Sequence, residues 1–343
     1  MGMHVAVIGG GLVGRVHLEA VLGHPAVSAV SLAEVDAGAL AELASRYPLA
    51  RTTTDYRALL DDPALDIVDI CLPHDLHHPV ALESFAAGKH VVADKPIANT
   101  LAEADEMMAA GEAAGRRFYV ALNERFMPVH QRVRDLLSDG LIGRPSLALL
   151  VVAGDELTRM RLPGHWKGTW GRAGGGVLAD SGTHVVDIAH LWFGPPVAVR
   201  CHLARHVVEA PDKADDTAAL IMEYPDLTVT MVLTYAAAGQ PWSETRAIWG
   251  EAGSIHVRLE DAEPLVAWKD GRRLPQAVEH ETDWWAWSVK RGLAHALDCF
   301  DRDLPFAVTA ADARAALHTI RSAYLAAGDG RRVALEELAG PRS

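Results

Sequence analysis

Asp180, His184 and Asp187 stand at i, i+4 and i+7 in the run Gly174-Gly175-Gly176-Val177-Leu178-Ala179-Asp180-Ser181-Gly182-Thr183-His184-Val185-Val186-Asp187. On a helix that spacing puts all three side chains on one face. An imidazole between two carboxylates is oriented and made more basic, which suits it to take a proton from an alcohol. The same residues also fit a plain helix start, with Asp180 or Ser181 as cap, and Asp187 either meets substrate or ties the helix to its neighbours. Lys95 is the second candidate. It follows the apolar run His90–Ala93 in Asp94-Lys95-Pro96, just past the carboxyl end of an expected parallel strand, where open α/β sheets bind ligands. A lysine there is a strong hydrogen-bond donor, and desolvation tunes it for proton transfer. Ahead of the glycine run, residues 163–172 carry His165, Trp166, Lys167, Trp170 and Arg172. Two indoles for stacking on a sugar ring and several cationic or polar groups for hydroxyls or an acid make this segment an expected substrate rim. Trp284, Trp285 and Trp287 open a helix and read as core or subunit interface. His74, His77 and His78 have no cysteine or carboxylate at ligand spacing, so no metal site is expected.

An alcohol that loses its proton to a base needs an acceptor for hydride, and the start of the chain offers a seat for one. The run Val5–Ile8 enters Gly9-Gly10-Gly11-Leu12-Val13-Gly14, which reads G-x-G-x-x-G at Gly9, Gly11 and Gly14. Gly9 permits a tight turn, Gly11 lets the backbone approach a pyrophosphate, and Gly14 lets helix and strand pack closely. The N-terminus of the helix that follows turns free N–H groups and the positive dipole end toward the anion, with Leu12 and Val13 of the loop beside the cofactor. Glu34, 20 residues past Gly14, ends the second expected strand and accepts the ribose hydroxyls, with Asp36 as the alternative. No arginine follows in that turn to meet a 2′-phosphate, which favours NAD over NADP.

These groups need a frame. Residues 1–122 alternate apolar strands (His4–Ile8, Val27–Ala33, Ile67–Leu72, His90–Ala93, Phe118–Leu122) with helices (Arg15–Leu22, Ala37–Tyr47, Asp55–Asp61, Pro79–Ala87, Leu101–Ala114). That alternation predicts an α/β, doubly wound parallel sheet of Rossmann type. Residues 123–343 read as a second, α+β domain with a large open, mostly antiparallel sheet. Ala218–Tyr224 and Thr228–Tyr235 flank Pro225-Asp226 as a hairpin, and Thr183–Phe193, Trp284–Asp301 and Ala310–Ala327 are helices.

The stretch Leu72-Pro73-His74…His77, then Ala87-Gly88-Lys89-His90-Val91, then Asp94-Lys95-Pro96 resembles the glucose–fructose oxidoreductase/inositol dehydrogenase family, whose members carry T-P-N…H, A-G-K-H-V and E-K-P. His74 stands for the usual Asn and Asp94 for the usual Glu. The glycine run is similar to the family's G-G-G-x-L-x-D-x-G-x-H-x-x-D, and Asn123-Glu124-Arg125-Phe126-Met127-Pro128 to its N-x-R-F-x-P. The resemblance implies that Lys95, Asp180 and His184 meet at the reacting carbon. It also implies that Leu72, Pro73, His74, His77, Asp94 and Asn123 lie along the cofactor. His77 either borders the cofactor or buttresses its loop, and Asn123 either approaches the nicotinamide or serves the domain hinge. The activity so implied is NAD-dependent oxidation of a secondary alcohol of a sugar, sugar derivative or cyclitol, or the reverse. A lyase or glycosidase that oxidises its sugar transiently with tightly held NAD, and a non-catalytic dinucleotide-binding regulator, are the alternatives. Similar proteins pair sheets face to face, which implies a homodimer or homotetramer through the second domain; cover of the open face by this chain's own terminal helices is the alternative.

Composition narrows the partners. A formal net charge of −13 opposes nucleic acid and anionic membrane surfaces. Cys71, Cys201 and Cys299 are scattered and odd in number, as in a reduced intracellular protein. No apolar run approaches the roughly 18 residues of a membrane span. The first residues enter a strand rather than a signal peptide, and Ala6 stands where a myristoylation site has Ser or Thr. A cytoplasmic location is expected.

Overall fold

The computed structural model describes residues 2–162, 164–206 and 214–338. Met1, Pro163 of the expected substrate rim, residues 207–213 of the strand-rich stretch and residues 339–343 lie outside the described residues. The chain divides into two compact units, Met1–Asn123 with Trp285–Arg314, and Glu124–Trp284 with Ala315–Ser343.

The first unit runs β1 (Met3–Ile8), α1 (Leu12–Leu22), β2 (Val27–Ala33), α2 (Ala37–Arg46), β3 (Arg51–Thr53), α3 (Arg57–Leu60), β4 (Ile67–Ile70), α4 (His77–Ala86), β5 (His90–Asp94), α5 (Leu101–Ala113) and β6 (Phe118–Ala121). Its sheet has the order β3-β2-β1-β4-β5-β6 with every pair parallel. β4 and β6 are buried at every position, as strands covered on both faces must be. The order reverses between β1 and β4, so the loops leaving those strands flank the crevice where doubly wound sheets bind ligands. α1 starts at Leu12 rather than Arg15 because the glycine loop itself delivers the first turn. β3 has no apolar run to betray it; it is a short edge strand of Arg-Thr-Thr. α5 starts on a capping box, with Thr100 accepting from the Glu103 N–H and Glu103 reaching back to the Thr100 N–H.

The sequence places residues 123–343 in one domain, yet 285–314 pack with the first unit. Tyr119 donates to the Gly292 carbonyl at 3.2 Å, Arg117 to that of Cys299 at 2.5 Å, and Lys290 pairs with Glu19 at 2.9 Å. None of these long-range ties has a local signature.

The second unit holds α6 (Pro128–Ser138), β7 (Pro145–Ala153), α7 (Leu157–Met160), α8 (Trp170–Ala173), α9 (Ser181–Phe193), β8 (Ala198–Ala204), β9 (Thr217–Glu223), β10 (Thr228–Thr234), β11 (Ser243–Gly250), β12 (Gly253–Arg258), β13 (Leu265–Lys269) and β14 (Arg272–Pro275). The helices α10 (Trp284–Arg302) and α11 (Ala310–Asp329) and the short β15 (Val333–Ala334) complete the chain. The sheet order is β14-β13-β12-β11-β7-β10-β9-β8-β15; among the described residues only β7 and β10 pair in parallel. β9 and β10 form the expected hairpin. Alternate residues split its faces. Leu150, Val152, Leu220 and Met231 pack with Val185 and Ile188 of α9 and Ile320 of α11, while Leu147, Ile221, Trp249 and Trp268 of the other face stay exposed. Among the described residues no helix is long and apolar enough to cross a membrane.

Candidate active site

The glycine loop is built as a phosphate cradle. Gly9 has φ +102°, and a Cβ there would lie 2.3 Å from the Cys71 carbonyl, so only glycine lets the loop lie against the end of β4. A Cβ on Gly14 would come within 1.9 Å of the Gly9 carbonyl, whereas one on Gly11 would meet nothing within 4 Å. Gly14 is therefore needed by the protein itself, and Gly11 leaves open space for a ligand. Gly11 caps α1 with no side-chain acceptor, so the first-turn N–H groups, those of Leu12 and Val13 among them, suit an anion. Glu34 accepts from the Gly10 N–H at 2.7 Å and from the Asp36 N–H at 2.9 Å, which aims its carboxylate over the loop. Asp36, the alternative ribose acceptor, caps α2 by accepting from the Ala39 N–H at 2.8 Å. The loop, the uncapped helix start and the carboxylate together fit a dinucleotide.

Beneath the loop His17 Nδ1 lies 3.0 Å from both oxygens of buried Asp69. Burial opposes charge on this ring, but the Asp69 carboxylate outweighs it and pushes the imidazole above its ordinary value. Burial, with Asp69 beside it, pushes the Cys71 thiol well up. The donor atoms of His17, Asp69 and Cys71 lie within 4.8 Å of one another.

Lys95 is half-buried directly after β5, with Asp94 closing the strand, and the Lys95–Pro96 peptide is cis. His77, fully buried, has Nδ1 2.9 Å from the Pro96 carbonyl and Nε2 2.9 Å from the Leu72 carbonyl. It bridges the loops after β4 and β5, so buttressing is the role its contacts describe. Burial lowers its pKa. Leu72 and Pro73 lead into a 3₁₀ turn holding buried His74, whose ring meets that of His77 edge-on at 5.7 Å. Asn123 is buried and donates to Ser288 Oγ at 2.6 Å. These partners belong to the frame, and no short-range pattern announces them.

In the second unit Asp180 takes the N-cap position of α9 without capping it by side chain. Its Oδ2 accepts instead from the Tyr235 hydroxyl at 2.7 Å and lies 2.9 Å from Lys167 Nζ. His184, half-buried, follows one turn on. Asp187 is fully buried and takes Arg125 in a bidentate pair of 2.6 to 3.0 Å, so of its two expected roles it ties the helix to its neighbours. The glycine run is shaped by Asp215, whose carboxylate accepts from the N–H groups of Gly176 at 2.8 Å and Leu178 at 3.0 Å and from Tyr324 at 2.8 Å. A Cβ on Gly176 would sit 1.8 Å from the Asp215 carbonyl. Burial raises the Asp215 pKa.

The rim residues separate. His165 and Trp166 stack at 6.2 Å, and Lys167 lies 5.7 Å from the Trp166 ring. Trp170 packs edge-on against Tyr324 at 4.9 Å with Arg205 over it at 5.6 Å; Arg172 is half-buried in α8. The sequence did not single out Tyr235, Asp215 or the Arg125 partner of Asp187. Each acts from an element remote in sequence, and the one available hint was two adjacent acids, Asp215-Asp216, before a strand.

Two family profiles match. The one described as an oxidoreductase family with an NAD-binding Rossmann fold covers residues 3–122, and the GFO/IDH/MocA C-terminal domain covers 130–256. Levoglucosan dehydrogenase of Pseudarthrobacter phenanthrenivorans is 31% identical over 82% of this chain and 77% of its own. Inositol 2-dehydrogenase 2 of Saccharopolyspora erythraea is 28% identical over 93% and 94%. A solved levoglucosan dehydrogenase in complex with NADH and levoglucosan superposes with TM-score 0.88 at 23% identity, covering 98% of this chain and 100% of that one, a likeness of fold. With the glycine cradle and the Asp180–His184 helix start in place, these matches make the chain an NAD-binding member of the glucose–fructose oxidoreductase/inositol dehydrogenase (Gfo/Idh/MocA) family of oxidoreductases.

Proposed function

We propose that this protein is an NAD-dependent dehydrogenase that oxidises a secondary alcohol of a sugar or cyclitol, or reduces the matching ketone. The observation that carries the reading is the start of α9, where a carboxylate held by two donors, Asp180, precedes a half-buried imidazole, His184, by one turn. Relatives named for levoglucosan and inositol support a ring polyol as substrate. The glycine loop would hold the pyrophosphate and Glu34 the ribose hydroxyls, with Leu72, Pro73, His74, Asp94 and Asn123 along the cofactor. Bound NAD supplies the acceptor for the carbinol hydrogen. Lys95 Nζ would donate to the reacting oxygen, the His184 ring would take the hydroxyl proton, and Asp180 would accept from the substrate. His165, Trp166, Trp170 and Arg172 would hold the sugar. We further propose that the exposed face of the second sheet joins copies of the chain into a dimer or tetramer.

A panel of cyclic polyols that includes levoglucosan and myo-inositol, followed by NADH and NADPH absorbance, tests this. NADH should accumulate with at least one of them. Lys95→Ala and His184→Ala should each lower kcat by about 10²-fold or more, while NADH fluorescence still reports binding. Undiminished turnover in both variants overturns the assignment.

A further inference from the structure

We propose that Lys167 and Tyr235 are positioning residues that clamp Oδ2 of Asp180, keep this carboxylate charged, and so make it a fixed acceptor rather than the base of the reaction. The inference rests on the proposed dehydrogenase reading, in which Asp180 meets the substrate. The clamp joins three segments. Tyr235 follows the last residue of β10, Lys167 lies in the short 3₁₀ turn Trp166–Gly168, and Asp180 opens α9.

Tyr235 has one proton, and at 2.7 Å it goes to Asp180. The Ser181 hydroxyl, 2.8 Å from the same phenol oxygen, must then be the donor to it. The chain Ser181 to Tyr235 to Asp180 is thereby directed, with no proton left to turn around. Tyr235 is buried, and burial beside Asp180 pushes its phenol well above the ordinary range, so it stays a donor. Lys167 Nζ lies 2.9 Å from the same Oδ2 and 3.8 Å from Glu156 Oε2. Burial works against its charge, but Asp180 and Glu156 outweigh that and raise its pKa, so it stays an ammonium. A carboxylate facing an ammonium and a phenol gains little from a proton, since protonation would cost it the ion pair and set a second hydrogen against those donors. In the proposed reaction the alcohol's proton is left to His184.

The test uses the full chain with saturating NAD+, labelled with [γ-13C]aspartate, and follows carboxyl resonances as pH is lowered; the Asp180 signal is the one missing from Asp180→Asn. An opposite charge at this range moves a carboxylate by about 1–3 pH units. Lys167→Met should therefore raise the midpoint of that signal by about one unit or more. Lys167→Arg should restore it, and Tyr235→Phe, a gentler variant, should raise it less. The acidic limb of kcat on the best polyol should move with it. Identical midpoints in Lys167→Met, Tyr235→Phe and the parent overturn the clamp. Full turnover in Asp180→Asn would instead take Asp180 away from the substrate, and the absence of NADH formation with every polyol of the panel would overturn the dehydrogenase reading, whatever the titration shows.

Discussion

Glu34 follows Gly14 by 20 residues. Its type and its distance from Gly14 were enough to expect a ribose acceptor. The structure adds that the Gly10 and Asp36 N–H groups aim it. A hydrogen bond to a charged group contributes about 1.5–3 kcal/mol, so Glu34→Ala should raise the KM for NAD+ by about tenfold or more. The KM for NADP+ should rise less, because removing a carboxylate also removes repulsion of a 2′-phosphate. Parallel initial-rate measurements with both cofactors check this, and an unchanged ratio would deny Glu34 the role. Asp180 and Asp187 show what residue type leaves open. Two aspartates one helix face apart look equivalent in sequence, yet one meets Tyr235 and Lys167 and the other is sealed against Arg125.

Among elements, the turn from β1 into α1 was the most legible, because its geometry depends on glycines that nothing else can replace. It also supplies a contrast between fold and ligand. Gly14→Ala forces a methyl to within 1.9 Å of the Gly9 carbonyl, and overpacking of that kind costs about 1–3 kcal/mol or more. Gly11→Ala meets nothing within 4 Å, and Gly11 has φ −67°, which alanine adopts freely. Gly11→Ala should keep the thermal midpoint of the parent while losing NADH affinity by more than tenfold; Gly14→Ala should lose stability as well. Calorimetry and NADH fluorescence on the two variants separate these outcomes, and tight NADH binding by Gly11→Ala would remove the pyrophosphate from this loop. β3 was illegible for the converse reason: an exposed edge strand needs no apolar pattern.

For the whole molecule, the second sheet has one face buried under α9 and α11 and the other lined by Leu147, Ile221, Trp249 and Trp268. Register aligns Leu147 with Trp249 across β7 and β11, which makes those two exposed side chains direct neighbours. Light scattering should find more than one copy of the chain per particle, and Leu147→Glu with Ile221→Glu should reduce the mass toward that of one chain with the circular dichroism unchanged. A monomeric parent protein would overturn the proposed self-association.

The sequence by itself determined the alternation of strand and helix in the first unit, the glycine cradle with Glu34 beyond it, and the positions of Lys95, Asp180 and His184. Each of these rests on spacing within a few residues or on the period of one element, and local backbone geometry enforces such spacing wherever the chain goes. Tertiary structure alone decided who holds these groups. His77 spans two carbonyls, Asp215 shapes the glycine run, Tyr235 and Lys167 take Asp180, and residues 285–314 join the first unit. Leu72, five positions from His77, aside, those partners come from segments more than ten to more than a hundred positions apart, brought together by the burial of apolar faces. Burial is cooperative over a whole unit, so it leaves no mark in any short stretch of sequence.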